Sequence, residues 1–228
     1  MSGPIATAFE QLVAAFVPAR MNRALRRGLA GVWGHFEAPP PGAGAVVVAN
    51  HHAWWDAYLA WAFAVRHGRP PGAIMDDAQL ERFRFFRRLG AVPASRPRAA
   101  ARRAAAGALL VVFPEGRLRP PGPLGPTRPG AAAVARWAGV PVWPVAFRAV
   151  VRGAERPEVY VRAGAPLPAG ASAEEAVAAL AAVLARVDAD VAAAADPEAP
   201  VPGYELWWPG TGSTHERAAW VARLWGAR

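Results

Sequence analysis

Ala45-Val46-Val47-Val48-Ala49-Asn50-His51-His52-Ala53-Trp54-Trp55-Asp56 is the stretch from which the rest of the chain can be ordered. Its first five residues are a short β-branched run of the kind buried on both faces of a sheet, and the turn signal Pro39-Pro40-Pro41-Gly42 stands before them. The strand turns polar at Asn50-His51-His52. Asp56 then opens a helix through Tyr58, Leu59, Trp61 and Phe63, stopped by Gly68 and Pro70. A His and an Asp five apart would lie about 140° apart on a continuous helix. A strand-turn-helix instead folds the carboxylate back onto the imidazole, so the spacing suits a His51–Asp56 pair across a turn.

The alternation continues outward. Residues 98–107 read as helix, 109–113 as strand, 130–138 as helix, 140–147 as strand and 158–162 as strand. A helix from Ser172 to about Ala195 begins with a capping box, Ser172 with Glu175 three residues on. The predicted fold is α/β: a single αβα-layered domain with a central mixed sheet over residues 37–195. Before it, Ile5, Phe9, Leu12, Val13, Phe16 and Val17 repeat at helical spacing, and after Pro18 come Met21, Leu25, Leu29, Val32, Trp33 and Phe36. This predicts an amphipathic helical hairpin over residues 1–36, with Arg20, Arg23, Arg26 and Arg27 in its second half. Such a hairpin either lies in a lipid headgroup layer or packs as a helix pair on the core, and the pattern favours neither. Residues 196–209 read as a Pro-rich linker, followed by a helical tail to residue 228. In that tail Ser213 and Glu216 make a second capping box, Gly210 to Arg217 could offer backbone amides to a phosphate, and Trp220, Val221, Leu224 and Trp225 form an apolar face.

With 228 residues, 54% of them hydrophobic, the chain supports one sizeable core. No run approaches the roughly 18 apolar residues needed to cross a bilayer. The N-terminus lacks the order of a secretory signal, so a cytoplasmic protein, soluble or peripheral on the inner face of the cell membrane, is expected. The absence of cysteine removes disulfides, thiolate nucleophiles and zinc-thiolate sites. Net charge is +9, and all 26 basic residues are Arg, which favours partners bearing phosphates. A chain rich in Ala, Gly, Pro and Arg also carries the mark of GC-rich coding, so charge alone identifies no partner. Nucleic acid in particular lacks support, because there is neither an aromatic-basic recognition motif nor a zinc signature.

Chemistry in such a fold sits where strands deliver residues to the carboxyl edge of the sheet. Two strand ends are rich in polar groups: Asn50 to Asp56, and Phe113-Pro114-Glu115-Gly116-Arg117. Asp56 in a first helical turn stays ionised and accepts the proton on one ring nitrogen of His51. The other nitrogen is free to act as a base, removing the proton of a hydroxyl that attacks a thioester, without a Ser or Cys nucleophile.

Asn50, His51 and Asp56 match an Asn-His-x-Ser-x-x-Asp block, with Ala53 where Ser is usual. Gly90-Ala91-Val92-Pro93-Ala94-Ser95-Arg96 is similar to a Gly-x-x-Phe-x-x-Arg block, following Phe85 to Leu89. Phe113 to Gly116 match Phe-Pro-Glu-Gly-Thr-Arg-Ser, with Leu118 at its Arg position and Arg117 or Arg119 beside it. Val140-Pro141-Val142-Trp143-Pro144 supplies a fourth. These four ordered blocks resemble the glycerol-phosphate and lysophospholipid acyltransferase superfamily. The resemblance implies acyl transfer from an acyl-CoA or acyl-carrier-protein thioester to a hydroxyl of a glycerolipid-type acceptor, lysophosphatidate by default. It implies His51 and Asp56 as the catalytic pair, and Arg96, Glu115, Gly116, Arg117 and Arg119 at the acceptor. No metal and no further cofactor are expected, the acyl thioester being a co-substrate. The displaced Arg of the third block leaves a non-phosphorylated lipid or polyol acceptor open. A basic module that binds nucleic acid or a membrane surface without catalysis is the reading from another class. Trp54 and Trp55 read as packing residues.

Overall fold

The structure, a computed structural model, describes residues 4–214 and 218, with side chains from residue 16 onward. The order is α1 (Pro4–Gly28), β1 (Gly31–Phe36), β2 (Ala45–Ala49), α2 (Asp56–Arg66), β3 (Pro71–Met75), α3 (Asp77–Arg82), a 3₁₀ turn (Arg84–Arg87) and β4 (Ala91–Pro93). It continues α4 (Pro97–Ala105), β5 (Leu109–Val112), α5 (Gly130–Ala138), β6 (Val142–Val150), β7 (Glu158–Ala163), α6 (Ala173–Ala193) and β8 (Glu205–Pro209).

All eight strands join one mixed sheet in the order β4-β3-β5-β2-β6-β7-β1-β8. β2 pairs in parallel with β5 and β6, so β2 and β5 reach the same edge of the sheet. Every residue of β2 is buried. Ala45, Val47 and Ala49 pack on one face with Leu25, Leu29, Leu59 and Phe63. Val46 and Val48 pack on the other with side chains of α4, α5 and α6, which makes the layering αβα. Each buried Val contributes about 1.5–3 kcal/mol, and burial on both faces fixes the register from which His51 emerges. The capping box at Ser172 is present at the start of α6.

Where the pattern predicted a hairpin over residues 1–36, the chain forms one helix and then a strand of the sheet. Met21, Leu25 and Leu29 keep the four-residue spacing and are buried, while Arg20, Arg23, Arg26 and Arg27 face solvent. Beyond Leu29, Gly31 and Gly34 lower helix propensity, and parallel pairing with β7 supplies the backbone bonds instead. Gly34 is required there: a Cβ would fall 1.9 Å from the ring of Trp207, which lies across the strand. The apolar positions at Ile5, Phe9, Leu12 and Val13 lie outside the residues whose side chains are described.

The C-terminal segment likewise differs from a plain linker, because β8 pairs antiparallel with β1 and buries Trp207. Beyond it part of the backbone that might have faced a phosphate is occupied, the N–H groups of Gly210 and Thr214 going to Ala30 O and the Glu155 carboxylate. Thr211 donates its N–H to Leu29 O (2.9 Å) and its hydroxyl to Arg26 O (2.7 Å), and the Ser213 hydroxyl accepts the Glu155 N–H at 3.1 Å. Carbonyls at the end of α1 thereby gain partners. Glu216 and the apolar positions from Trp220 to Trp225 lie outside the described residues. Among the described residues no helix is long and apolar enough to cross a membrane.

Candidate active site

β2 ends at Ala49, and the next six residues form a turn organised by one carboxylate. Asp56 opens α2 and is fully buried. Its Oδ2 accepts the backbone N–H of His52 at 2.7 Å and of Ala53 at 2.8 Å, and faces His51 Nδ1 at 2.9 Å. Paired with this carboxylate oxygen, Nδ1 is the ring nitrogen that donates, which leaves the lone pair on Nε2. His51 Nε2 has no hydrogen-bond partner among the described residues, and the side chain is 21% exposed. The ring stacks on Phe113, with centroids 4.3 Å apart and planes 18° apart. The His51–Asp56 pair therefore closes across a turn at the sheet edge, as the spacing suggested, with one ring nitrogen open.

Three further side chains hold this loop. Asn50 is buried, donates through Nδ2 to Phe147 O (2.8 Å) and accepts the Phe147 N–H (2.9 Å), which clamps the end of β2 to β6. His52 has Asn50 Nδ2 at 3.0 Å from Nδ1 and the Ala149 N–H at 3.1 Å from Nε2. A neutral ring accepts at only one of these nitrogens and carries its proton on the other; with Nε2 accepting from Ala149, the Asn50 amide at Nδ1 is a close contact only. Burial, the largest cause, holds the His52 pKa below the ordinary histidine value against the opposing pull of Asp56. Glu115, buried at the exit of β5, accepts the His51 N–H through Oε2 (2.9 Å) and the Gly125 N–H through Oε1 (2.9 Å). The resemblance gave Glu115 to the acceptor; here both its oxygens brace one loop against the other.

The remaining expected residues divide. Arg119 donates its backbone N–H to His51 O at 2.8 Å, and its Nε is buried with no hydrogen-bond partner among the described residues. Gly116 and Arg117 are exposed in the same loop, and Leu118 is 52% exposed. Arg96 is exposed at the start of α4 beside Asp77, whose carboxyl is held below the usual range, chiefly by the Ser95 hydroxyl. It stands after β4, three strands from β2, which is about 14 Å of sheet at the usual strand spacing. The structure thus groups His51, Asp56, Glu115, Gly116, Arg117 and Arg119 closely and sets Arg96 on the same edge, away from the pair. Trp55 packs over Gly28, as expected of a packing residue. Trp54 is 62% exposed, its ring edge-on to Tyr58 at 4.8 Å, so packing alone does not account for it.

Two arginines gained no signal from the blocks. Arg148 is buried, paired with Asp188 (2.5 and 2.7 Å) and donating to Gly122 O (3.0 Å), and so anchors the loop that carries Glu115. Arg128, just before α5, sits with its guanidinium over Gly116. Its only hint in the sequence was its place at a Pro-Gly helix start. No three His, Asp or Glu side chains converge as a metal site among the described residues.

A histidine tied at one nitrogen to a buried carboxylate and open at the other has the arrangement needed to deprotonate a hydroxyl. The acyltransferase family model matches residues 34–148, just over half of the chain and the whole span of the four blocks, and the chain belongs to that family. In fold it is similar to the crystal structure of the 1-acyl-sn-glycerophosphate (LPA) acyltransferase PlsC from Thermotoga maritima. The two share 20% identity over 82% of this chain and 81% of that one, with a TM-score of 0.58. No curated protein sequence matches the chain.

Proposed function

We propose that this acyltransferase moves a fatty acyl group from an acyl-CoA or acyl-carrier-protein thioester to a hydroxyl of a glycerolipid-type acceptor, lysophosphatidate foremost. The observation that carries the reading is the His51 ring, tied through Nδ1 to buried Asp56 and open at Nε2. Nε2 takes the acceptor hydroxyl proton as the oxygen attacks the thioester carbonyl, and Asp56 stabilises the imidazolium that forms. The C–S bond breaks as the carbonyl re-forms, and the thiolate leaves with the proton from Nε2. No acyl-enzyme and no metal ligand enters this sequence.

Membrane lipid is the partner surface in this reading, with the exposed arginines 20, 23, 26 and 27 of α1 on anionic headgroups at the inner face of the cell membrane. Nucleic acid has no part in it. A second reading, an unphosphorylated lipid or polyol acceptor, is favoured by Leu118 at the third block's Arg position. Incubation with acyl-CoA and a panel of lysophosphatidate, monoacylglycerol and polyol acceptors, read by mass spectrometry of the lipid products, separates the two. Acylated lysophosphatidate as the main product is the expected result; no acylated product from any acceptor would refute the assignment.

A further inference from the structure

We infer that Arg128 supplies the headgroup cation of the acceptor site, making a phosphorylated acceptor the substrate class despite Leu118; the inference rests on the acyl-transfer reading above. A Cβ built on Gly116 would lie 3.5 Å from Cζ and Nε of Arg128 and 3.8 Å from its Nη1. Gly116, at φ +68°, has a backbone conformation that suits glycine, and the bare backbone leaves room for the guanidinium to lie over the turn. Gly116 adjoins Glu115, whose carboxylate holds the His51 N–H, so the cation is held within the loop that braces the base.

The position is built. The Arg128 N–H donates to Pro114 O at 2.9 Å, and the residue lines a small cavity with Val48, Pro114, Pro129 and Ala176. Its guanidinium has no hydrogen-bond or ion-pair partner among the described residues and is exposed. The nearby carboxylate, Glu115, has both oxygens committed to backbone N–H groups. Arg128 also stands at the start of α5, a helix with no capping side chain and no acid in its first turn. The helix's positive end therefore adds to the charge. A planar guanidinium left unpaired over the loop that braces His51 fits the oxygens of a phosphate monoester two at a time. Leu118 in the block and Arg128 outside it describe one site in which the cation has moved to another segment.

The test compares kcat and KM for lysophosphatidate and monoacylglycerol, with one acyl-CoA, in the unaltered protein, Arg128→Gln, Arg128→Lys and Arg136→Gln. Arg136, an exposed residue in the last turn of α5, controls for loss of one positive charge. Arg128→Gln is expected to raise KM for lysophosphatidate at least tenfold and to lower the preference for it over monoacylglycerol by the same factor. Arg128→Lys should recover part of the loss, and Arg136→Gln should keep the unaltered ratio. An unchanged ratio in Arg128→Gln overturns the inference, as does an equal fall in Arg136→Gln. If the unaltered protein acylates neither acceptor, the acyl-transfer reading fails, and calorimetric binding of glycerol 3-phosphate decides for Arg128 alone. Weaker binding by Arg128→Gln than by Arg136→Gln then upholds the cation site, and equal binding overturns it.

Discussion

The loops leaving β2 and β5 meet at one edge of the sheet and are built in opposite ways. The β2 loop is short and tied at nearly every polar group. Asn50 is clamped to β6, Asp56 collects three donors on one oxygen, and His51 is fixed through its N–H, its carbonyl, its Nδ1 and its ring face. The loop from Phe113 to Pro129 is long and carries six prolines and three arginines. It is pinned at a few points: Glu115 to the Gly125 N–H, Arg128 N–H to Pro114 O, and Arg148 to Gly122 O. Proline limits its unfolded ensemble, so few ties suffice to order it. The first loop fixes the His51–Asp56 geometry by many short ties, while the second carries arginines on a backbone held at a few points.

Several changes break or sharpen that contrast. Short of removing His51 itself, the largest effect is expected for Asp56→Asn, which keeps an oxygen for the His52 and Ala53 N–H groups but loses the charge that supports the imidazolium. Turnover should fall about 10²- to 10⁴-fold with the fold retained, checked by initial rates and circular dichroism. Turnover within a few-fold of the unaltered protein would show that the pair is not a dyad. Next is Glu115→Gln, which replaces one of two acceptors of backbone N–H groups by an N–H donor in a buried place. Denaturant titration should show a loss of about 1–3 kcal/mol. Loss of turnover with unchanged stability would instead return Glu115 to the acceptor. Smallest is a pH effect. His52 and His67 both have pKa values pushed down, each chiefly by burial, with Arg66 and Arg69 adding to the shift at His67. As pH falls below about 6.5, the unfolded chain takes up protons that the folded rings refuse. Stability should therefore decline between about pH 6.5 and the lowered folded values. Replacing either ring by Gln should flatten the decline in urea melts, and an unflattened slope would show that other groups control it.

The elements legible in the sequence were those whose pattern was local and repeated. Ala45 to Ala49 announced a doubly buried strand, Gly130 to Ala138 gave the limits of α5, and Ser172 with Glu175 marked the start of α6. The His51–Asp56 pair was legible because both partners sit at the ends of adjacent elements, five residues apart. What escaped depended on distant chain. β1 and β8 stabilise each other across the molecule, and Trp33 and Phe36 carry the same residues whether a helix or a strand claims them. Gly34 makes sense only once Trp207 lies on it. The bracing bonds of Glu115 were not legible because its two backbone partners, His51 and Gly125, are brought to it only by the fold. Arg128 escaped for the same reason, since its place above Gly116 follows from the course of the loop between them.

The most direct measurement is acyl transfer by His51→Ala alongside the unaltered protein, with acyl-CoA and lysophosphatidate, product quantified by mass spectrometry and melting followed on the same samples. The side chain is partly exposed, and Asp56 keeps its two backbone donors without it. The account predicts at least a 10³-fold fall in rate, the scale on which loss of a catalytic base is felt, with melting within a few degrees of the unaltered protein. A folded His51→Ala protein that still acylates lysophosphatidate at a comparable rate would contradict it.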